Sequence, residues 1–390
     1  MDNLAHSLVG LTTAKAGLER LSPLATTVCI LAANSPDIDV AIGLFSDRWT
    51  LLKHHRGLTH SIVGTLALGI LLPLIFYLGE RAISRFRRRS PKIRLRGLLI
   101  ASLITTATHP IMDWTNNYGV RPLLPWSGRW FYGDLTFVVD PYLWLIVGGS
   151  AFLMTSKRRF KMAGWILLGL AITVLVFFGS GQRAAGGASV PLRLIWLSGI
   201  LLFAVGRLLK FNERFGNRIA ISALAFVVVY WSGLAVAHHF VYQSAIKYAG
   251  LFVDPNEKVL KAAAMPTLGS PRRWLCVIET DRAIYRFSTS LGSRNPLGGT
   301  SPNDPHRMVT MPGVQRFPKP VGSSAKLVDL ASQDRRARIF LDFARFPAAE
   351  VNDQNCLGQT LVQFADVRYT EPGSGRGSFS LNVPVDCPAP

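Results

Sequence analysis

The sequence predicts an all-α polytopic membrane bundle of about eight membrane-embedded helices, followed by a small, mostly β extracytoplasmic domain. Three observations predict it. Hydrophobic residues make up 49% of the 390 and are concentrated in stretches at 61–79, 97–112, 135–154, 162–179, 191–209 and 219–240. Most of these approach the ~20 residues needed to cross ~30 Å of hydrocarbon. The formal charge of +20 is gathered into connectors between those stretches. After about residue 245 no such stretch recurs, and apolar and polar residues begin to alternate. The expected division is a helical membrane domain over 1–244 and a soluble β-rich domain over 245–390.

At the N-terminus, residues 4–21 form a moderately amphipathic segment, and 23–45 is apolar but broken by Ser35, Pro36, Asp37 and Asp39. Two short helices are expected there, the least regular of the eight. The opening residues lack a basic n-region, so no cleavable signal peptide is expected. The segment 80–96 carries eight Arg/Lys, and 157–161 and 207–218 are the other dense basic clusters. Lys/Arg-rich loops stay on the cytoplasmic side, which fixes the other ends by alternation. Residues 53–61, the end of the 97–112 span and the C-terminal domain are then extracytoplasmic. Placed this way, the charge suits membrane lipids with anionic headgroups, and no nucleic-acid partner is expected.

This alternation sends seven of the eight histidines to one side: His6, His54, His55, His60 and His109, then His238 and His239. Carboxylates are interleaved with them. Ionisable groups at membrane depth cost several kcal/mol unless paired, hydrated or bound to metal. In HPIMD, His109 and Asp113 stand four residues apart, on one face if the segment is helical. Pro110 disfavours helix at His109, so a helix that starts or kinks there competes with a continuous one. In NSPDID, Asp37 and Asp39 diverge on an α-helix, but both can reach one cavity from a turning segment; Asp37 can equally cap a following helix. In HHRGLTHS, Gly57 marks a turn that leaves His60 at the start of the next span, with Ser61 or Thr59 as its cap. Neutral imidazoles ligate zinc and similar ions, whereas interfacial histidines beside headgroups are the plain alternative. Arg56 reads as a lipid contact or as a clamp for an anionic oxygen.

Separate helix ends thus offer His6, Asp37, Asp39, His54, His60, His109 and Asp113 to one face. This mixed nitrogen and oxygen set suits a divalent metal, zinc first and manganese second, as one ion or two. The chemistry expected is hydrolysis, with Asp39 or Asp113 accepting a proton from water where it is not a ligand. The following loop, 116–134, offers Asn116, Asn117, Arg121 and Arg129 to a phosphate.

Together, MDNLAHSLVG, NSPDID, HHRGLTHS, HPIMDW, NNYGVRPLLPW, RWFYGD and VVDP resemble the YdjM-like family of membrane-bound metal-dependent hydrolases. The resemblance covers roughly residues 1–240 and continues more weakly through MPTLGSPRRW. It implies a bacterial inner-membrane protein related to zinc-dependent phospholipase C and P1-type nucleases, and the same seven ligands or near-ligands. No second clear HxxxE/D follows residue 113, which speaks against a three-metal centre. The expected substrate is a phosphoester of lipid or envelope origin. The alternatives are an ion-binding transporter and an envelope scaffold; oligomeric state is left open.

In the C-terminal part, 274–290, 336–346, 360–370 and 377–386 alternate as half-buried strands do, so a β-sandwich is expected. The stretch 291–313, with His306, reads as a loop or lid. There is no CxxC spacing, and of Cys276, Cys356 and Cys387 the pairing of Cys356 with Cys387 fits an oxidising compartment.

Overall fold

The computed structural model describes residues 1–178, 190–292, 313–352, 358–374 and 379–387. Its helices are α1 (Asn3–Lys15), α2 (Ala25–Asn34), α3 (Arg48–His54), α4 (Ile62–Phe86), α5 (Leu95–Trp114), α6 (Pro141–Thr155), α7 (Arg159–Phe178), α8 (Val190–Leu208), α9 (Phe211–Phe215) and α10 (Arg218–Ala249). Six helices among the described residues are long and apolar enough to cross a membrane: α2 with its 3-10 continuation to Leu44, α4, α5, α7, α8 and α10. Helices α1 and α6, of 13 and 15 residues, are shorter than a full crossing. Pro110 does not break α5, which runs unbroken to Trp114.

By its contacts the chain divides into two compact units, where the sequence analysis drew one cut at residue 245. The first holds Met1–Asp39, Arg56–Val236 and Pro266–Pro271; the second holds Val40–His55, Ala237–Met265 and Arg272–Pro390.

In the first unit glycine lets α1 approach α2 closely and α5 approach the turn before α2. A Cβ on Gly10 would lie 2.7 Å from the Cys29 carbonyl oxygen, and one on Gly97 2.2 Å from that of Leu21. Leu8, Val9, Leu143, Trp144 and Val147 form the core between α1 and α6. The basic segments gather at the end of the unit where α1 finishes. Arg94 donates to the Arg20 carbonyl at 2.9 Å, Asn217 to that of Ala16 at 3.3 Å, and Arg207 to that of Ser156 at 3.4 Å. Helix α4, with 25 residues, carries the chain roughly 37 Å from His60 to the Arg-rich connector. Helix α5 then returns, so His109 and Asp113 finish beside His60 and away from the positive charge.

The second unit contains two antiparallel sheets. One has the order β1-β2-β3-β4 (Val259–Thr267, Ser270–Thr280, Ala283–Ser290, Val314–Pro318), and the other β5-β6-β7 (Pro347–Val351, Gln359–Asp366, Ser380–Asp386). Ala237, Val241, Ala245 and Ala249, one face of α10 at i, i+4 spacing, pack on Trp274, Tyr285 and Phe287. The strand expected at 336–346 is a helix, α12 (Arg335–Phe343), preceded by α11 (Gly322–Ser332). Asp334 caps it through Arg336 N, and Ala337, Phe340 and Phe343 bury one stripe at a three-residue interval. That periodicity outweighed a short run of apparent alternation. Trp49 of α3 meets Phe340 edge-on, with ring centroids 6.4 Å apart, and Arg335 pairs with Asp47 at 3.2 Å. These contacts explain why residues 40–55 fold with the second unit. Cys387 is disulfide-bonded, and Cys29 and Cys276 are buried free thiols. Cys356 and His306 lie outside the described residues, as does most of 291–313.

Candidate metal centre

Four chain segments converge at the end of the first unit remote from the basic clusters. The 3-10 turn Ser35–Leu44 brings Asp37 and Asp39, a second such turn (Leu58–His60) brings His60, α5 brings His109 and Asp113, and α1 brings His6. Ser61 ends the second turn by accepting from Gly64 N at 3.1 Å and so caps α4. The α5 pair is helical i, i+4, and both side chains therefore face the same way.

The donor atoms are Asp37 Oδ1, His60 Nε2, His109 Nε2 and Asp113 Oδ2. His60 Nε2 lies 3.4 Å from the Asp37 oxygen, 3.3 Å from that of Asp113 and 3.1 Å from His109 Nε2. His109 Nε2 lies 3.4 Å from Asp37 Oδ1 and 3.5 Å from Asp113 Oδ2. A tetrahedral ion with bonds of about 2.0–2.1 Å needs donors about 3.3–3.4 Å apart, and these five separations match that edge length, while all four atoms lie within 4.8 Å of one another. The four side chains form a group able to hold a metal ion.

The nitrogens facing away are also committed, which fixes both ring orientations. His109 Nδ1 is 2.6 Å from the Ala33 carbonyl oxygen, an acceptor, which makes Nδ1 the donor and leaves Nε2 a lone pair. His60 Nδ1 is 3.3 Å from Asp39 Oδ2, which also accepts from Arg56 N and Thr59 Oγ1, each at 3.0 Å. The two aspartates of NSPDID thus straddle one imidazole, Asp37 at its donor nitrogen and Asp39 behind it. Carboxylates hydrogen-bonded to ligating histidines in this way hold the tautomer and orientation.

His6 is buried and stacks on His109, with ring centroids 3.7 Å apart and Nε2 3.5 Å from Asp113 Oδ1. Neither His6 nitrogen has a hydrogen-bond partner among the described residues. Arg56 is buried too, 3.0 Å from Asp113 Oδ1 and 2.9 Å from Asn116 Oδ1. The Met1 amino group also contacts Asp113 Oδ1.

The remaining expected site residues take different places. His54 is exposed at the end of α3 and belongs to the second unit, so it is not one of the converging groups. Asn116 holds Arg56 through its carbonyl oxygen, while its Nδ2 has no hydrogen-bond partner among the described residues. Asn117 is buried, Arg121 is buried with its guanidinium 4.6 Å over Trp130, and Arg129 is exposed 5.3 Å over Phe131. Thr59, expected as a candidate cap, instead donates to Asp39, and the Ala33 carbonyl and Gly64 carry no signal in the sequence. A backbone acceptor has no sequence signature, and a helical glycine shows its purpose only in three dimensions. A Cβ on Gly64 would sit 1.8 Å from the Leu58 carbonyl oxygen, in the turn that presents His60. Gly64→Ala is expected to destabilise the first unit by about 1–3 kcal/mol or more, with a matching fall in metal retained; thermal unfolding and metal content of the purified variant test this.

Among known proteins, residues 1–183 match the sequence model of the YdjM inner membrane protein family. The chain is also 27% identical over 155 residues to the "Uncharacterized protein YfhP" of Bacillus subtilis (strain 168), covering 37% of this chain and 43% of that one. The chain thus spans less than half the length of that relative. No solved structure matches. The resemblance read from the motifs therefore holds over the part of the chain that carries all four donors: residues 1–183 match the YdjM inner membrane protein family.

Proposed function

We propose that this chain is a membrane-bound, metal-dependent hydrolase acting on a phosphoester of lipid or envelope origin. One divalent ion, zinc before manganese, is held by Asp37, His60, His109 and Asp113. The observation that carries this reading is the near-tetrahedral spacing of four donors, three of them buried and Asp37 half-buried, with the far nitrogens of both histidines already committed. The family match and the six long apolar helices support a place in the inner membrane. The basic clusters at the opposite end support an extracytoplasmic site.

Since the four side chains would fill a tetrahedral shell, a bound ion would supply Lewis acidity to water or a phosphoryl oxygen only by taking it as a fifth ligand. The chain's own residues do the rest. Arg56, anchored by Asn116, offers its guanidinium to a non-bridging phosphate oxygen. Asp39 orients His60 rather than serving as the base, because Arg56 N, Thr59 and His60 Nδ1 all surround Oδ2. Asp113 is engaged by Arg56, so the proton-accepting role expected for either aspartate passes to His6, whose nitrogens carry no hydrogen bond. In the reaction the water oxygen bonds to phosphorus and the ester P–O bond breaks. The water's proton goes to His6 and then to the departing alcohol.

Purified protein should carry about one zinc per chain and hydrolyse bis(p-nitrophenyl) phosphate. Chelator should abolish turnover and added zinc restore it. Absence of stoichiometric metal overturns the reading, and ion flux through reconstituted vesicles without turnover would favour the transporter alternative.

Metal affinity should depend on pH in a defined direction. Burial disfavours a charged His60, but its hydrogen bonds with Asp113, Asp37 and Asp39 outweigh burial and push its pKa up to about 10 in the metal-free chain. Coordination needs the neutral ring, so binding expels that proton. For His60 alone, apparent zinc affinity should rise about tenfold per unit between roughly pH 6 and 8. The metal-free fold follows the opposite trend. The stability that His60 contributes is fully present below its ordinary value of 6.5 and is lost as pH climbs through about 10. Zinc titrations at three pH values test the slope, and a flat profile would remove His60 from the ligands.

A further inference from the structure

A cavity of about 430 Å³ lies between α4, α5 and the loop that follows α5, and one of the four donors, His60, lines it. This is the size of a small-ligand pocket, for which about 300–1,000 Å³ is usual. His60, Thr65, Leu66, Ala107, Ile111 and Phe131 are among the residues that line it. Its lining is nearly all apolar, an unusual neighbour for a cluster of carboxylates and imidazoles. Leu66 and Ile111 are 52% and 54% exposed, on helices long and apolar enough to cross a membrane. On such helices an exposed apolar side chain faces lipid, so the medium at the cavity's mouth is acyl chain and not water. Besides His60, one hydroxyl interrupts the lining. The Thr65 hydroxyl, in a residue only 7% exposed, has no hydrogen-bond partner among the described residues. A buried hydroxyl left unpaired is costly, and an occupant with an acceptor at that depth would satisfy it.

We infer that this cavity admits one acyl chain of a membrane phospholipid sideways from the bilayer, bringing the headgroup phosphoester to the four donors. The inference rests on reading those donors as a hydrolase centre and narrows its substrate to a diacyl phospholipid. The chain lies along Leu66, Ala107 and Ile111, Thr65 donates to the acyl ester carbonyl, and the phosphate reaches His60 and Arg56. Water-soluble phosphoesters would meet the same donors without the apolar anchorage.

The experiment uses the full-length protein in vesicles of phosphatidylethanolamine and phosphatidylglycerol, the latter with a diazirine in its acyl chain near the ester. Cross-links mapped by mass spectrometry should concentrate on residues 62–66 and 107–114. Ala107→Trp, which fills the cavity, should lower that yield at least tenfold while zinc content is retained. Ile111→Trp, at the exposed mouth, does the same from a position where misfolding is not a concern. Cross-links spread evenly over α7 and α8, or unaffected by both tryptophans, overturn the inference even if zinc binding and turnover of the soluble ester stand. Cavity cross-links in a protein that neither binds zinc nor turns over any ester would retain the lipid site and refute the hydrolase reading instead.

Discussion

Alanine in place of His60, His109 or Asp113 should abolish stoichiometric zinc binding and, with it, hydrolysis. Each of these side chains supplies one corner of a four-donor set, and His60 Nε2 stands 3.1–3.4 Å from the other three. Three donors leave an open coordination position filled only by water and lower the affinity by more than the roughly 10–100-fold typical of losing an outer partner. Asp39→Asn should fall within that range. It keeps the shape beside His60 Nδ1 but weakens the acceptor that fixes the ring. His54→Ala should change nothing, since His54 is exposed and sits with the other unit. The graded order, measured as metal per chain after dialysis against a weak chelator, is the test. Equal retention in all five variants would eliminate the centre.

Arg56→Ala should be the most destabilising change in the first unit. The guanidinium is buried against Asp113 and donates to Asn116 Oδ1 and, at 3.3 Å, to the Gly119 carbonyl. Removing one partner of a buried pair leaves a charge uncompensated, which costs about 3–5 kcal/mol. Lysine at this position restores the charge but not the planar fork, so Arg56→Lys should recover only part of the loss. Zinc should rescue Arg56→Ala more than it stabilises the parent protein, because a bound cation supplies the positive charge that Asp113 has lost. Thermal unfolding in detergent with and without zinc measures this; an equal increment in both proteins would show that Arg56 and the metal do not share Asp113.

Much of the membrane unit was legible because its causes are local. Apolar stretches of about 20 residues become helices in lipid, where every backbone group must be satisfied within the segment. The spans read at 61–79 and 97–112 correspond to α4 and α5 with their ends moved by a few residues. HPIMD was legible for the same reason, since i, i+4 spacing on a helix is a local rule that survived Pro110. The helix at 335–343 was misread because Ala337, Ile339, Leu341 and Phe343 alternate with Arg336, Arg338 and Asp342, while the buried stripe of Ala337, Phe340 and Phe343 and the cap at Asp334 follow the helix. His54 and His60 looked equivalent in HHRGLTHS. Only the turn at Gly57 and the packing of Trp49 separate them, one histidine into each unit.

By itself the sequence determined the residue types able to bind a metal, the membrane-spanning helices and the segregation of positive charge from the histidines, all products of composition and short-range periodicity. Tertiary structure decided which of seven candidates converge into a group able to hold a metal, which carboxylate stands behind an imidazole, and that an apolar cavity adjoins His60. Those outcomes depend on distances between segments up to about a hundred residues apart in the chain, which are set by glycine-mediated helix approach and by the direction in which α5 returns along α4.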